Sequence, residues 1–268
     1  MARVKHRLTR ASASVRGRLR LVTLVAASMA ISLPGATTTA SASVLESAAP
    51  AAHPVTAAAA MPQPAAPQPA PIDTRMLSVP SYLQTYQLSC EESALRMALA
   101  SEGIQTTDAQ LLALIGVDRG AAYFDSSGLR WSDPYSSFVG DPNGSEVQLT
   151  GYGTYYPTIA QAAAQLGGQV IRAGEGVAPA DVYAAILAGH PVVVWVTYQW
   201  VIPQRADYTA LDGRVIPYAG PVEHAVTVVG VTPTEVYVNN PDSGPEVISK
   251  ATFEAAYATY NQMAVVLG

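Results

Sequence analysis

A charge-free block of Ala and Pro divides the chain and fixes how much of it can fold. Between Ala48 and Ile72, 18 of 25 residues are Ala or Pro, and seven of those are prolines. Each proline removes a backbone donor and clashes with the turn before it, so no continuous helix fits. An extended, semi-rigid spacer of polyproline type is the expected state. Beyond the block, Ile72–Gly268 is 197 residues long and has no internal repeat. That is the size of one domain.

Residues 1–42 read as a secretory signal peptide. Seven basic residues crowd Met1–Arg20, and Leu21–Leu33 form a 13-residue apolar stretch. Thirteen helical residues rise roughly 20 Å, short of the ~30 Å hydrocarbon core. Ala40-Ser41-Ala42 then fits the small-x-small cleavage rule. The expected organisation is a signal peptide over 1–42, an Ala/Pro linker over 43–72 and a folded domain over 73–268. A secreted protein is expected, with the linker serving as a tether, for instance at the cell wall, or as a removed pro-segment.

Charge and cysteine count exclude several function classes. From Ile72 onward there are 8 basic and 19 acidic residues. A body that acidic is not suited to a nucleic-acid backbone or an anionic membrane surface. One cysteine, Cys90, leaves no internal disulfide and no Cys-cluster metal site. No cofactor and no metal are expected. Asp141–Glu146 has the composition of a calcium loop, but its Gly is misplaced for the EF-hand pattern.

Periodicity places helices first and strands later. Cys90–Glu102 predicts a helix, with Ser89 and Glu92 at capping-box spacing and Gly103 as its stop. Thr107–Ile115, Thr158–Leu166, Val182–Leu187 and Thr252–Tyr260 predict further helices. Pro191–Gln199, Val222–Val231, Glu235–Asn239 and Gln262–Leu267 predict strands, mostly antiparallel. That order points to an α+β fold. Gly116–Tyr156 is aromatic-rich and aperiodic. It is expected to be an ordered loop layer along a cleft, with Trp131, Tyr152 and Tyr155 as candidate walls.

Cys90 is the residue most suited to chemistry. At a helix N-terminus the dipole and free amides favour a thiolate, while Glu91 and Glu92 oppose it. His224 sits in an alternating strand and shares a face with Val226 and Val228; His190 sits in a turn before Pro191. His224 lies 134 residues after Cys90, and Asn240 lies 150 after it. A papain-type base and its orienting Asn fall roughly 130–150 residues beyond the Cys. The two would share a sheet face if an odd-numbered loop joined their strands, or if a bulge at Asn240-Pro241 reset an even one. Gln84, six residues before Cys90, is a candidate oxyanion donor, with Gln87 as its competitor.

Val79–Gln84 and Leu88–Leu99 resemble the entry of the bacteriocin-processing-like cysteine peptidases of cysteine-peptidase family 39. The middle segments Trp131–Pro134, Phe138–Asp141 and Gly151–Tyr155, and likewise Ala188–Trp195, His224–Gly230 and Asn240–Gly244, resemble a secreted bacterial branch of that group. The resemblance spans about Leu77 to Gly268. It implies a papain-like fold in which a helix carrying the Cys packs on a mostly antiparallel sheet carrying the His. It implies Cys90 as nucleophile, His224 as base, Asn240 as orienting residue and Gln84 as oxyanion donor, acting on a peptide or protein. Two positions depart from the common pattern: Glu91 stands where many relatives have Gly, and Asn240 stands where Asp is common. Asp242 is the alternative third member.

These residues admit two functions. One is a secreted cysteine peptidase or amidase. The other is a catalytically silent papain-like binding or adhesion module. Metal-assisted hydrolysis finds no recognisable ligand spacing.

Overall fold

Strand pairing, rather than the helices, organises this protein. The structure is a computed structural model and describes residues 73–268. The expected signal peptide (1–42) and Ala/Pro linker (43–72) lie outside the described residues. In chain order the first elements are β1 (Arg75–Met76), α1 (Cys90–Ser101), α2 (Asp108–Ile115), β2 (Val117–Asp118), β3 (Tyr123–Asp125), β4 (Gly128–Trp131), β5 (Phe138–Val139), α3 (Tyr156–Gln165) and β6 (Val170–Gly174). Then come α4 (Pro179–Ala188), β7 (Val192–Thr197), β8 (Ala206–Ala210), β9 (Val215–Tyr218), β10 (Glu223–Val231), β11 (Glu235–Asn240), β12 (Gly244–Ser249), α5 (Lys250–Ala258) and β13 (Ala264–Leu267). The α+β expectation holds: among the described residues, five α-helices surround the sheets.

The main sheet runs β12-β11-β10-β7-β13-β6, with β1 added to β10. Its pairings are all antiparallel. Both faces are covered. Val193, Trp195, Ala225 and Val265 pack with α1, α2 and α3. Val192, Val194, Val226 and Val228 pack with α4 and α5. This is why β7 reads Val-Val-Val-Trp-Val-Thr instead of alternating with polar residues. Each such side chain contributes about 1.5–3 kcal/mol on full burial. α1 is also pinned directly to β10, where Thr227 Oγ1 donates to the Ala94 carbonyl at 2.8 Å.

The β10–β11 register decides where the polar side chains go. Val231 pairs with Val236, so the intervening turn Thr232–Glu235 is even-numbered. Carried straight down the hairpin, that register would set Asn240 opposite Thr227 and put His224 on the other face. A bulge between Val228 and Gly230 shifts the pairing by one, to Val228 with Val238 and Thr227 with Asn239. His224 and Asn240 therefore share a face. The bulge lies at Val229, not at Asn240-Pro241.

Gly116–Tyr156 is ordered but less irregular than its composition suggests. β3 and β4 join β8 and β9 in a second, four-stranded sheet, and β2 pairs with β5. Tyrosine hydroxyls tie this layer down: Tyr208 donates to the Ser132 carbonyl and Tyr155 to the Pro217 carbonyl. β6, β8, β9 and β12 had no clear strand signal in the sequence. Among the described residues, no helix is long and apolar enough to cross a membrane.

The expected Ser89–Glu92 capping box does not form. Ser89 makes no side-chain cap on α1. Its Oγ instead donates to Asp108 Oδ2 at 3.0 Å and accepts from Tyr86 N–H. The reciprocal box is on α2, where Thr107 and Gln110 satisfy each other's backbone amides. Thr107→Ala should therefore lower stability by about 1 kcal/mol, the usual cost of losing an N-cap, as read from urea denaturation midpoints.

Candidate active site

Helix α1 begins at the floor of a cleft of about 560 Å³. Cys90, Gln84, Glu146, Tyr152, Glu223 and His224 are among the residues that line it. Trp131 and Tyr155 do not: they are packed in the core beneath, and Tyr152 is the one aromatic of the three candidates on the wall. Glycines give Tyr152 its place. A Cβ at Gly151 would lie 2.2 Å from the Asp141 carbonyl, and one at Gly153 would lie 2.2 Å from Glu91 Oε1.

The Cys90 thiol sits among carboxyls. Its Sγ donates to Glu91 Oε2 at 3.2 Å and lies 3.9 Å from Glu223 Oε2. The opposing pulls on this thiol resolve upward. Burial holds it well above the usual thiol range, and Glu91 and Glu223 add to that. Glu91 also accepts from Thr154 N–H at 2.5 Å. Glu146 accepts from Glu223 N–H at 3.2 Å. Burial raises all four nearby carboxyls: Glu91 to about 7, Glu146 to about 8, and Glu92 and Glu223 well above the normal range. Both oxygens of Glu92 are buried without a partner.

His224 approaches the cleft from the other face of β10. Successive strand residues alternate, so Glu223, not His224, is the one beneath Sγ. No hydrogen bond joins Sγ to the imidazole in this arrangement. The ring is instead fixed by Asn240, whose Oδ1 lies 2.8 Å from Nε2. Asn240 is itself oriented from both ends. Its Oδ1 accepts from Asp242 N–H, and its Nδ2 donates to Glu246 Oε1 at 2.9 Å. An amide oxygen only accepts, so Nε2 carries the proton and Nδ1 is left as the basic nitrogen. Glu246 is held in turn by Trp200 Nε1 at 2.8 Å and by Ser243. Burial lowers the His224 pKa, while Asn240, Asp242 and Glu246 oppose that shift.

Asp242 makes no bond to the ring. Its carboxylate accepts from Tyr198, whose ring stands edge-on to His224 at 5.5 Å. Gln84 reaches the cleft, but both of its amide protons are committed, to the carbonyls of Tyr86 at 3.0 Å and Gln87 at 2.6 Å. Gln87 also lines the cleft. His190 lies elsewhere, against Gly268. The sequence reading missed Glu223, Glu146 and Glu246. Glu223 had a signal in its position beside His224; Glu246 had none, because its role depends on the β11–β12 hairpin.

The carboxyls make stability fall as pH rises. Folding raises their pKa values, so above about 4.5 the unfolded chain releases protons that the folded chain keeps. For Glu91 and Glu146 that stability is lost progressively up to about pH 8. Burial of neutral His224 acts in the opposite sense, gaining stability as pH rises through the ordinary histidine range. The thermal midpoint should fall between pH 6.5 and 8. Glu92→Gln should raise that midpoint at pH 8 and leave it unchanged at pH 4, as monitored by circular dichroism.

Known proteins agree with this architecture. A protein from Bacillus anthracis described as a C39-like peptidase has a solved structure that matches with a TM-score of 0.62 at 22% identity, covering 73% of this chain and 97% of that one. A double glycine motif protease from an AMS/PCAT transporter, in complex with its leader peptide, matches at 0.40 and 14%, covering 72% and 93%. Xylellain, a cysteine protease from Xylella fastidiosa, matches at 0.38 and 15%, covering 73% and 85%. The last two overlaps are too loose to bear on the site. No curated protein matches. The profile of the Peptidase_C39 like family matches residues 76–265. With a papain-like fold around a cleft that holds a cysteine and an Asn-oriented histidine, the chain belongs to the Peptidase_C39 like family of cysteine peptidases.

Proposed function

We propose that this chain is a secreted cysteine peptidase that cleaves peptide or amide bonds through an acyl-enzyme. The observation that carries the reading is the hydrogen-bonded chain from His224 through Asn240 to Glu246, which presents Nδ1 as a base beside the cleft that holds Cys90. Glu246 supplies, one residue further out, the negative charge that Asn240 lacks. Export is supported by the basic stretch, the Leu21–Leu33 segment and the Ala40-Ser41-Ala42 site.

In this reading Cys90 turns from Glu91 and Glu223 toward His224 as substrate enters. Nδ1 takes the thiol proton, and the thiolate attacks the scissile carbonyl. The Cys90 backbone N–H stands at the first helical position, without an intrahelical acceptor, and faces the developing oxyanion. Gln84 joins it once one amide proton leaves the Tyr86 or Gln87 carbonyl. The imidazolium then protonates the leaving amine. The freed ring activates water, which cleaves the thioester and restores the thiol.

The thiol's attachment to Glu91 rather than to His224 favours a second reading, a catalytically silent binding module. Peptide hydrolysis separates the two. Cys90→Ala should abolish turnover of a fluorogenic peptide library. Asn240→Ala should lower kcat about 10–100-fold, the worth of one hydrogen bond to a charged ring. Hydrolysis that survives Cys90→Ala sinks the peptidase reading, and absence of any hydrolysis by wild type supports the silent module. In the unliganded protein, Glu223→Gln should speed iodoacetamide alkylation of Cys90 at pH 7.5 by removing a nearby carboxyl.

A further inference from the structure

The three groups around Sγ have an arrangement that hydrolysis does not require. Cys90 Sγ and one carboxylate oxygen each from Glu91 and Glu223 all lie within 4.8 Å of one another, and all three residues are buried. The Sγ–oxygen separations are 3.2 and 3.9 Å. Ligands on one tetrahedral zinc ion stand about 3.6 Å apart, from Zn–S near 2.3 Å and Zn–O near 2.1 Å.

A second observation is a buried carboxyl oxygen left unpartnered beside the sulfur. Glu223 is 3% exposed, yet its Oε1 has no hydrogen-bond partner while its Oε2 faces Sγ. Among the described residues, none of the six ion pairs involves Glu91, Glu92, Glu146 or Glu223. The backbone has also been cleared beside the cluster, since a Cβ at Gly153 would meet Glu91 Oε1 and Glu223 Oε2 together. Glu91 Oε1 is taken by Thr154 N–H, which leaves Oε2 directed at the cluster.

The geometry points to a site for a thiophilic divalent cation, of the Zn²⁺ class, bound by Cys90 Sγ, Glu91 Oε2 and Glu223, with its fourth position open to the cleft. Soft thiolate selects such ions over Mg²⁺ or Ca²⁺. On binding, the thiol proton and any carboxyl proton leave to solvent, and nothing is oxidised or reduced. The bound ion occupies the sulfur. Its effect on hydrolysis, reversible inhibition, rests on the peptidase reading; the binding itself does not.

Cd²⁺ titration of the intact protein tests the site through the ultraviolet absorption of the Cd–thiolate bond. The expected result is a saturable band at one equivalent, displaced by Zn²⁺ and not by Mg²⁺, and absent in Cys90→Ser. Glu223→Gln should weaken Cd²⁺ at least about tenfold, since even outer-sphere partners are worth 10–100-fold. A lone-cysteine adduct would give a band of unchanged affinity in Glu223→Gln, and that overturns the site, as does the absence of any band in wild type. A measurement without variants guards against misfolding: micromolar Zn²⁺ should slow alkylation of wild-type Cys90 where equal Mg²⁺ does not. Alkylation indifferent to Zn²⁺ also overturns the proposal, whatever the protein hydrolyses.

Discussion

Everything in the domain leans on β10, a strand whose nine residues are all buried. Its odd and even positions are assigned to different partners. Val226 and Val228 meet the helices on one face, while Ala225 and Thr227 receive α1 on the other. At its start, the same alternation delivers Glu223 to the sulfur and His224 to Asn240. Core packing and site geometry are thus one constraint. Slipping β10 by one residue would exchange the two faces, exposing apolar surface to polar partners and dismantling the histidine's support together.

The second constraint is the density of buried acid. Four carboxyls near one thiol, with no cation paired to them among the described residues, cost folding energy whenever they ionise. They persist at the cleft, where the burial of Cys90 itself, with Glu91 and Glu223 beside it, holds the thiol well above its usual range. Local strain against stability at a cleft is a common sign of function. The same cluster supplies the sulfur with its acceptor, Glu91, in place of His224.

Much of this was legible in the sequence because it is written locally. The apolar runs Val192–Thr197 and Glu223–Val231, the helix starting at Cys90, and the order Cys90, His224, Asn240 all depend on neighbouring residues or simple spacing. What escaped depends on distant pairing. Ser89 matched a capping motif, but Asp108, 19 residues away, competes for its hydroxyl. The bulge at Val229 left no signature in Val228-Val229-Gly230 beyond a glycine. β6 and β8 are short and partly exposed, so their patterns lack the contrast that burial imposes. Trp131 and Tyr155 read as cleft residues by type, whereas the β3-β4-β8-β9 layer encloses them.

The support behind His224 has an optical consequence. The described residues hold three tryptophans. Trp131 and Trp195 are sealed in the core, with their indole nitrogens bonded to backbone carbonyls. Trp200 alone is partly exposed and bonded to a side chain, the Glu246 carboxylate that also holds Asn240. The two enclosed indoles give a constant emission background. Any change in the charge or position of the histidine's supporting chain is therefore carried by one chromophore, and the protein contains its own fluorescent label at the far end of that chain.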